Sequence, residues 1–164
     1  MGKSELNKAS SEISESNNSK DIIINNLINI TNSTGMTLLM KASEHGNIDF
    51  IKYLLGKNAD VNVIGGQWNA LMYCFYGKSA TDIKLLVAEL LCDAGIDINY
   101  AYGKKNILDV ALMYHNDLKI IKFILDKKKY ITCDALIEIG QYPNAVDVLE
   151  LVTQYPVVEK EYTK

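Results

Sequence analysis

Residues 35–62 hold the feature that most restricts what this chain can fold into: two short apolar stripes at helical spacing, a tight polar turn between them, and an extended segment after them. Thr37 predicts an N-cap, and Leu39 and Ala42 then fall on one face of a short helix that stops before Gly46. Asn47 predicts the cap of a second helix, where Ile48, Ile51, Leu54 and Leu55 make a single stripe. Ala59-Asp60-Val61-Asn62 reads as extended and turn-forming. A helix pair this short cannot bury its own stripes, so it must stack on near copies of itself.

The copies are present. Laying Leu71-Met72 on Leu39-Met40 puts Cys74 on Ala42, Leu91 on Leu54, and Asp97-Ile98-Asn99 on Asp60-Val61-Asn62 after an insertion. Laying Leu108 on Leu39 puts Ala111 on Ala42, Asn116 near Asn47, and Ile124-Leu125 on Leu54-Leu55 with one inserted residue. These units resemble the ankyrin repeat. That family's Thr-Pro-Leu-His start appears here as Thr37-Leu38-Leu39-Met40, Asn69-Ala70-Leu71-Met72 and Asn106-Ile107-Leu108-Asp109. Proline and histidine are absent, but each unit keeps a residue that can cap and a leucine two places on. The resemblance runs over residues 32–130 and implies an all-α solenoid of three recognisable repeats, 32–63, 64–100 and 101–131, between degenerate capping helix pairs.

Upstream, Ser19 predicts the cap of a helix to Ile30 that turns Ile23, Ile24, Leu27 and Ile28 toward the first repeat, giving a cap over 19–31. Residues 1–18, with a faint stripe of Leu6, Ala9 and Ile13, read as a flexible tail or as part of that cap, so that Glu5 to Ile30 forms a degenerate repeat. In the second repeat Gly77-Lys78-Ser79-Ala80-Thr81-Asp82 replaces the tight turn. Thr81 predicts the cap of a helix carrying Ile83, Leu86, Val87, Leu90 and Leu91, and the extra residues lengthen either the turn or that helix. Residues 132–156 read as the C-terminal cap. Thr132 or Asp134 starts a helix with Leu136 and Ile139, Gly140 ends it, and Pro143 precedes a last helix lined by Val146, Leu149 and Val152. Polar residues between them suit an outer face, and 157–164 read as a charged tail.

Charge narrows the function classes. The net charge is −3 and all 17 basic residues are lysine, so the chain lacks the planar guanidinium fork that reads guanine edges or clamps phosphates. Lys127-Lys128-Lys129 reads as a solvated helix end, not a nucleic-acid patch. No apolar run is long enough to span a membrane, the start lacks the apolar core of a signal peptide, and Leu6 breaks the myristoylation pattern. A cytoplasmic monomer is expected. Cys74, Cys92 and Cys133 have no partner at zinc-ligand spacing, and Cys74 falls on a small core position and Cys92 on a leucine-like one, so burial explains both and no metal is expected. His45 and His115 fall in equivalent turns, no nucleophile, phosphate-loop or zinc-hydrolase motif surrounds them, and Asp109 reads as a capping carboxylate. Neither catalysis nor a cofactor is expected.

The resemblance instead implies a scaffold that binds another protein on a concave surface made by the loop fingers and the ends of the first helices. The family's variable positions fall on Ser33, Thr34, Met36, Glu44 and His45, on Gly65, Gly66, Trp68, Tyr76 and Gly77, and on Tyr102, Gly103, Lys105, Met113 and Tyr114. The candidate protein-binding residues are therefore Met36, Glu44, His45, Trp68, Tyr76, Tyr102, Lys105, Met113 and Tyr114. Aromatic rings are preferred interface anchors, and Trp68 is expected to stand exposed beside Gly65-Gly66, with packing on a neighbouring repeat as the alternative for Trp68 and Tyr76. Small arrays of this kind suggest an inhibitor or immunity protein that neutralises an enzyme or toxin. The alternative is a secreted effector that captures a host protein.

Overall fold

The computed structural model describes residues 23–24, 27–103, 105–114 and 117–159. The expected tail at 1–18, the cap at Ser19, and Lys104, His115, Asn116 and 160–164 lie outside the described residues. Helices follow in pairs: α1 (Leu38–His45) and α2 (Ile48–Gly56), α3 (Ala70–Tyr76) and α4 (Thr81–Asp93), α5 (Ile107–Tyr114) and α6 (Leu118–Lys128), then α7 (Cys133–Glu138) and α8 (Ala145–Val152). A 3-10 turn, Ile139–Gln141, joins the last two. The only strands among the described residues are two-residue pieces: β1 (Ala101–Tyr102) antiparallel to β2 (Lys105–Asn106), and β3 (Ile131–Thr132) parallel to β4 (Val157–Val158).

Each first helix starts where a side chain can accept a backbone N–H. Thr37 Oγ1 accepts from Met40 N at 3.2 Å, and Asn69 Oδ1 from Met72 N at 3.0 Å. Asn106 Oδ1 accepts from Leu108 N at 2.8 Å, and Thr132 Oγ1 from Ala135 N at 3.2 Å. Two of these caps are reciprocal: Asp109 Oδ2 accepts from Asn106 N at 2.8 Å, and Met40 Sδ accepts weakly from Thr37 N at 3.4 Å. All four capping residues are buried, so each start is fixed inside the stack.

First helices stack on first helices, α1 on α3, α3 on α5 and α5 on α7, while α2, α4, α6 and α8 form the second row. The leucine kept in each unit, Leu39, Leu71 and Leu108, is buried between them, as are Ala42, Cys74 and Ala111. At the base of each finger an asparagine crosses to the next unit: Asp60 N donates to Asn29 Oδ1 at 2.9 Å and Asp97 N to Asn62 Oδ1 at 2.8 Å. Asn29 thus holds, ahead of the first repeat, the place that Asn62 holds ahead of the second. Lys84 is the most deeply buried charged side chain among the described residues; it is 1% exposed, its Nζ donates to Phe75 O at the end of α3, and burial lowers its pKa.

Several expectations are corrected. Thr81 is the first residue of α4 and not its cap: Ala80 holds that place without a side-chain bond, and the Thr81 hydroxyl donates to Asp117 Oδ2 at 2.6 Å. The insertion in the second repeat enters both places, since the turn runs over 77–80 where 46–47 sufficed before, and α4 also outruns α2. At the N-terminal end only Ile24 and Ile28 face the stack, and Ile23 and Leu27 are exposed. In α8 Val152 faces inward as expected, but Val148 and Ala145 take the places of Leu149 and Val146, which point outward, because the helix packs on α6 along that face. Val157 and Val158, read as the start of a tail, enter the fold instead, as Ile131 N donates to Pro156 O at 3.0 Å and Tyr155 Oη to Asp126 at 2.5 Å.

Backbone contact between repeats demands glycine at two positions. A Cβ at Gly65 would sit 2.2 Å from Gly35 O, and one at Gly77 would sit 1.9 Å from Glu44 O. Gly56, at the end of α2, has nothing within 4 Å of such a Cβ. Gly77→Ala is therefore expected to destabilise the fold by about 1–3 kcal/mol through overpacking. Gly56→Ala should be neutral or stabilising by up to about 1 kcal/mol. Urea denaturation of the two variants beside the parent measures both.

Candidate protein-binding face

The second finger is a two-residue hairpin, with Gly65 and Trp68 exchanging backbone hydrogen bonds of 2.9 and 3.0 Å around Gly66 and Gln67, both at positive φ. It is held from behind by Tyr73, whose hydroxyl donates to Gly65 O at 3.0 Å, and from the third finger by Tyr100, whose hydroxyl donates to Gln67 O at 3.1 Å. This hairpin turns Trp68 back over the first helices. Its ring meets Tyr73 at 5.4 Å, Tyr76 at 5.3 Å and Tyr114 at 6.0 Å, all edge-on, and Tyr76 meets Tyr114 at 4.9 Å and 89°. Edge-to-face contact at these separations is the favoured arrangement for aromatic rings.

Trp68 is therefore half-buried and packed on the core, in place of the exposed ring that its two glycine neighbours suggested. The glycines are there because the backbone of Gly35 approaches Gly65 and because the turn needs positive φ at Gly66. Gly77 is likewise closed by Glu44, so neither Gly65 nor Gly77 is free to vary. The rings left open are Tyr76 and Tyr114, each 42% exposed, joined by Met113 at 42% and by Tyr102 at the tip of the third finger.

The other candidates separate into two places. Glu44 and His45 end α1, where Glu44 pairs with Lys41 at 2.7 Å and His45 Nδ1 lies 3.0 Å from Lys41 O. Met36 packs on the core beside a small cleft lined by Ile30 and Leu38, away from the aromatic cluster. Lys105 and Met113 belong to a groove of about 680 Å³ between the third finger, α5 and the C-terminal cap. Reading by repeat position missed the rest of that groove, including Asp109, Asp134, Glu138 and Tyr142. Its signal was spacing: residues 57–69 and 94–106 separate one helix pair from the next, whereas only 129–132 separate α6 from α7. A finger is missing there, and the groove stands in its place.

Electrostatics distinguish the two ends of this face. Burial, with Asp109 and Glu138 nearby, raises the Tyr142 pKa in the groove. Burial and the Glu44 carboxylate raise that of Tyr73 under the second finger. Burial pushes the Cys74 thiol up to about 12, with Lys84 opposing. Among the described residues no group of three or more His, Cys, Asp and Glu is placed to hold a metal ion. No helix among them is long and apolar enough to cross a membrane.

Two outcomes follow. Trp68→Ala is expected to cost about 2 kcal/mol or more of stability, because three ring contacts and a partly buried indole are lost. Tyr76→Ala should cost about 1 kcal/mol or less, and denaturant unfolding compares them. At pH 8.5, iodoacetamide should leave Cys74 unmodified in the native protein, since a thiol titrating near 12 holds its proton there. Peptide mapping after native and denatured labelling reads that result.

The family model of ankyrin repeats in three copies matches residues 9–99. Similar solved structures include these two. One is a chain from the structure of a complex, the Bd0816 predatory endopeptidase from Bdellovibrio bacteriovorus with immunity protein Bd3460. It is 25% identical with a TM-score of 0.59, over 79% of this chain and 69% of that one. The other is an ankyrin repeat domain from Acinetobacter baumannii AYE, 24% identical with a TM-score of 0.55, over 62% of this chain and 52% of that one. Comparison with curated proteins gives no match. The family match begins upstream of Asn29 and stops within the third finger, while α5 and α6 carry the same stacking onward. More than half of the chain is thus matched, along the stack that the caps and the glycine contacts build, and the chain belongs to the ankyrin-repeat family.

Proposed function

We propose that this chain is a non-catalytic inhibitor or immunity protein that neutralises a partner enzyme or toxin by binding it on the face of fingers and first helices. Ankyrin repeats are protein-binding scaffolds, and that much comes with the family. The observation that carries the finer reading is the open ring pair of Tyr76 and Tyr114 over Trp68, with Met113 on the same helix as Tyr114 and Tyr102 on the third finger also exposed. Trp68 already closes the core beneath them, so the outer two rings add little to the fold. They present a rigid aromatic platform of the kind that dominates interface energetics. The similar fold in a structure that pairs an endopeptidase with an immunity protein supports the choice of an enzyme as partner.

Affinity capture from the native cell tests this reading with three baits: the parent, Tyr76→Ala/Tyr114→Ala, and Lys127→Ala on the second-helix side. One protein should be retained by the parent and by Lys127→Ala and lost by the tyrosine double variant. Truncating one interface anchor costs about 2 kcal/mol or more, so the double variant should weaken binding by at least about tenfold. The purified partner should lose its activity when the parent is added. Undiminished capture by the double variant, or a partner whose activity is unaffected, overturns the proposal.

A further inference from the structure

The groove of about 680 Å³ beside the C-terminal cap lies at the place of the missing finger, and it is within the size range of ligand pockets. What a finger does for the repeat before it is visible one step earlier in the stack. Asn69, capping α3, uses its other side-chain atom as well: Nδ2 donates to Asp97 O at the base of the next finger, at 3.0 Å. Asn106 caps α5 in the same way and is only 7% exposed. Its Nδ2, however, has no hydrogen-bond partner among the described residues, and Asn106 lines the groove. The amide donor of an otherwise buried side chain is thus open to the cleft, where the preceding unit gives the same group to a backbone carbonyl.

The charge of the walls selects what would enter. Among the described residues, Asp109, Asp134, Glu138, Glu159 and Lys105 are the charged groups that line the groove. Asp134 is exposed and has no ion-pair partner among the described residues. The apolar part of the lining comes from Met113, Ala135 and Ile137, of which Ile137 is 76% exposed. Met113 also borders Tyr114, so the groove continues the aromatic platform without a break in the sequence of α5.

We propose that this groove seats an extended segment of a protein partner, replacing the missing finger, with a backbone carbonyl on Asn106 Nδ2 and a lysine or arginine side chain among Asp109, Asp134 and Glu138. This deepens the protein-binding reading above and rests on it. The carboxylates supply orientation and on-rate, and the amide supplies selection for a peptide over a small cation.

The test uses an acetylated, amidated peptide, Gly-Lys-Val-Lys-Val-Lys-Gly, its counterpart with glutamate for lysine, and spermidine, each titrated into the full chain by nitrogen-edited NMR. The lysine peptide should shift the backbone amides of Asp109, Ala135 and Glu138 and the side-chain NH₂ of Asn106. Binding should weaken at least tenfold in Asp134→Asn/Glu138→Gln and should fall with added salt, while Lys127→Ala leaves it unchanged. Should the double variant melt early, Glu138→Gln alone is expected to weaken binding severalfold. Equal shifts from the glutamate peptide, shifts confined to other surfaces, or a spermidine titration that moves the Asn106 NH₂ as far as the peptide does would each overturn the groove assignment. The capture experiment reads the tyrosine platform independently of these peptides, so loss of one result with the other intact identifies which proposal has failed.

Discussion

The remainder of the structure depends on the side-chain oxygen at the start of each first helix. Thr37, Asn69, Asn106 and Thr132 each accept an N–H that would otherwise be buried without a partner, and each is itself buried. Fixing these starts fixes where the preceding finger must end. It also fixes the height at which the neighbouring leucine enters the stack. The family's proline and histidine can be absent because a cap and a leucine suffice to set both. Met40 and Asp109 occupy the histidine position and return a bond to the cap by different chemistry, one through sulfur and the other through a carboxylate.

Packing and recognition divide the aromatic residues between them. Trp68 faces the core with Tyr73, whose hydroxyl holds the hairpin closed. Tyr76 and Tyr114 lie one ring further out. The inner pair makes the outer pair rigid, which lowers the conformational entropy that an interface must overcome on binding. The glycines between them are fixed by backbone approach, so variation on this face is restricted to the side chains around them.

The repeat pattern was legible because its signals are local. A cap, a leucine and an i, i+3 stripe sit within a few residues of one another, and the stacking of α1 to α7 follows from them. What was not legible depended on neighbours far away in sequence. Trp68 turns inward because Tyr73, Tyr76 and Tyr114 converge on it, and no property of Gly65-Gly66 reports that convergence. Thr81 gives its hydroxyl to Asp117 in the next repeat and so does not cap its own helix. Val146 and Val148 are equally apolar, and only the position of α6 decides which one is covered. The groove escaped for a related reason: it is made by a segment the chain lacks, and position-by-position comparison has nothing to align there.

The short parallel pairing of Ile131–Thr132 with Val157–Val158 changes how the last unit comes apart. In a stack of repeats the terminal unit ordinarily frays first, residue by residue from its free side. Here the strand after α8 returns to the residues just before α7, and Tyr155 is tied to Asp126 of α6. The cap is therefore a closed loop whose two ends are fastened to the same neighbour. Opening it requires both fastenings to release together, so its amides should exchange with solvent as one cooperative block, with a single opening free energy in place of a gradient.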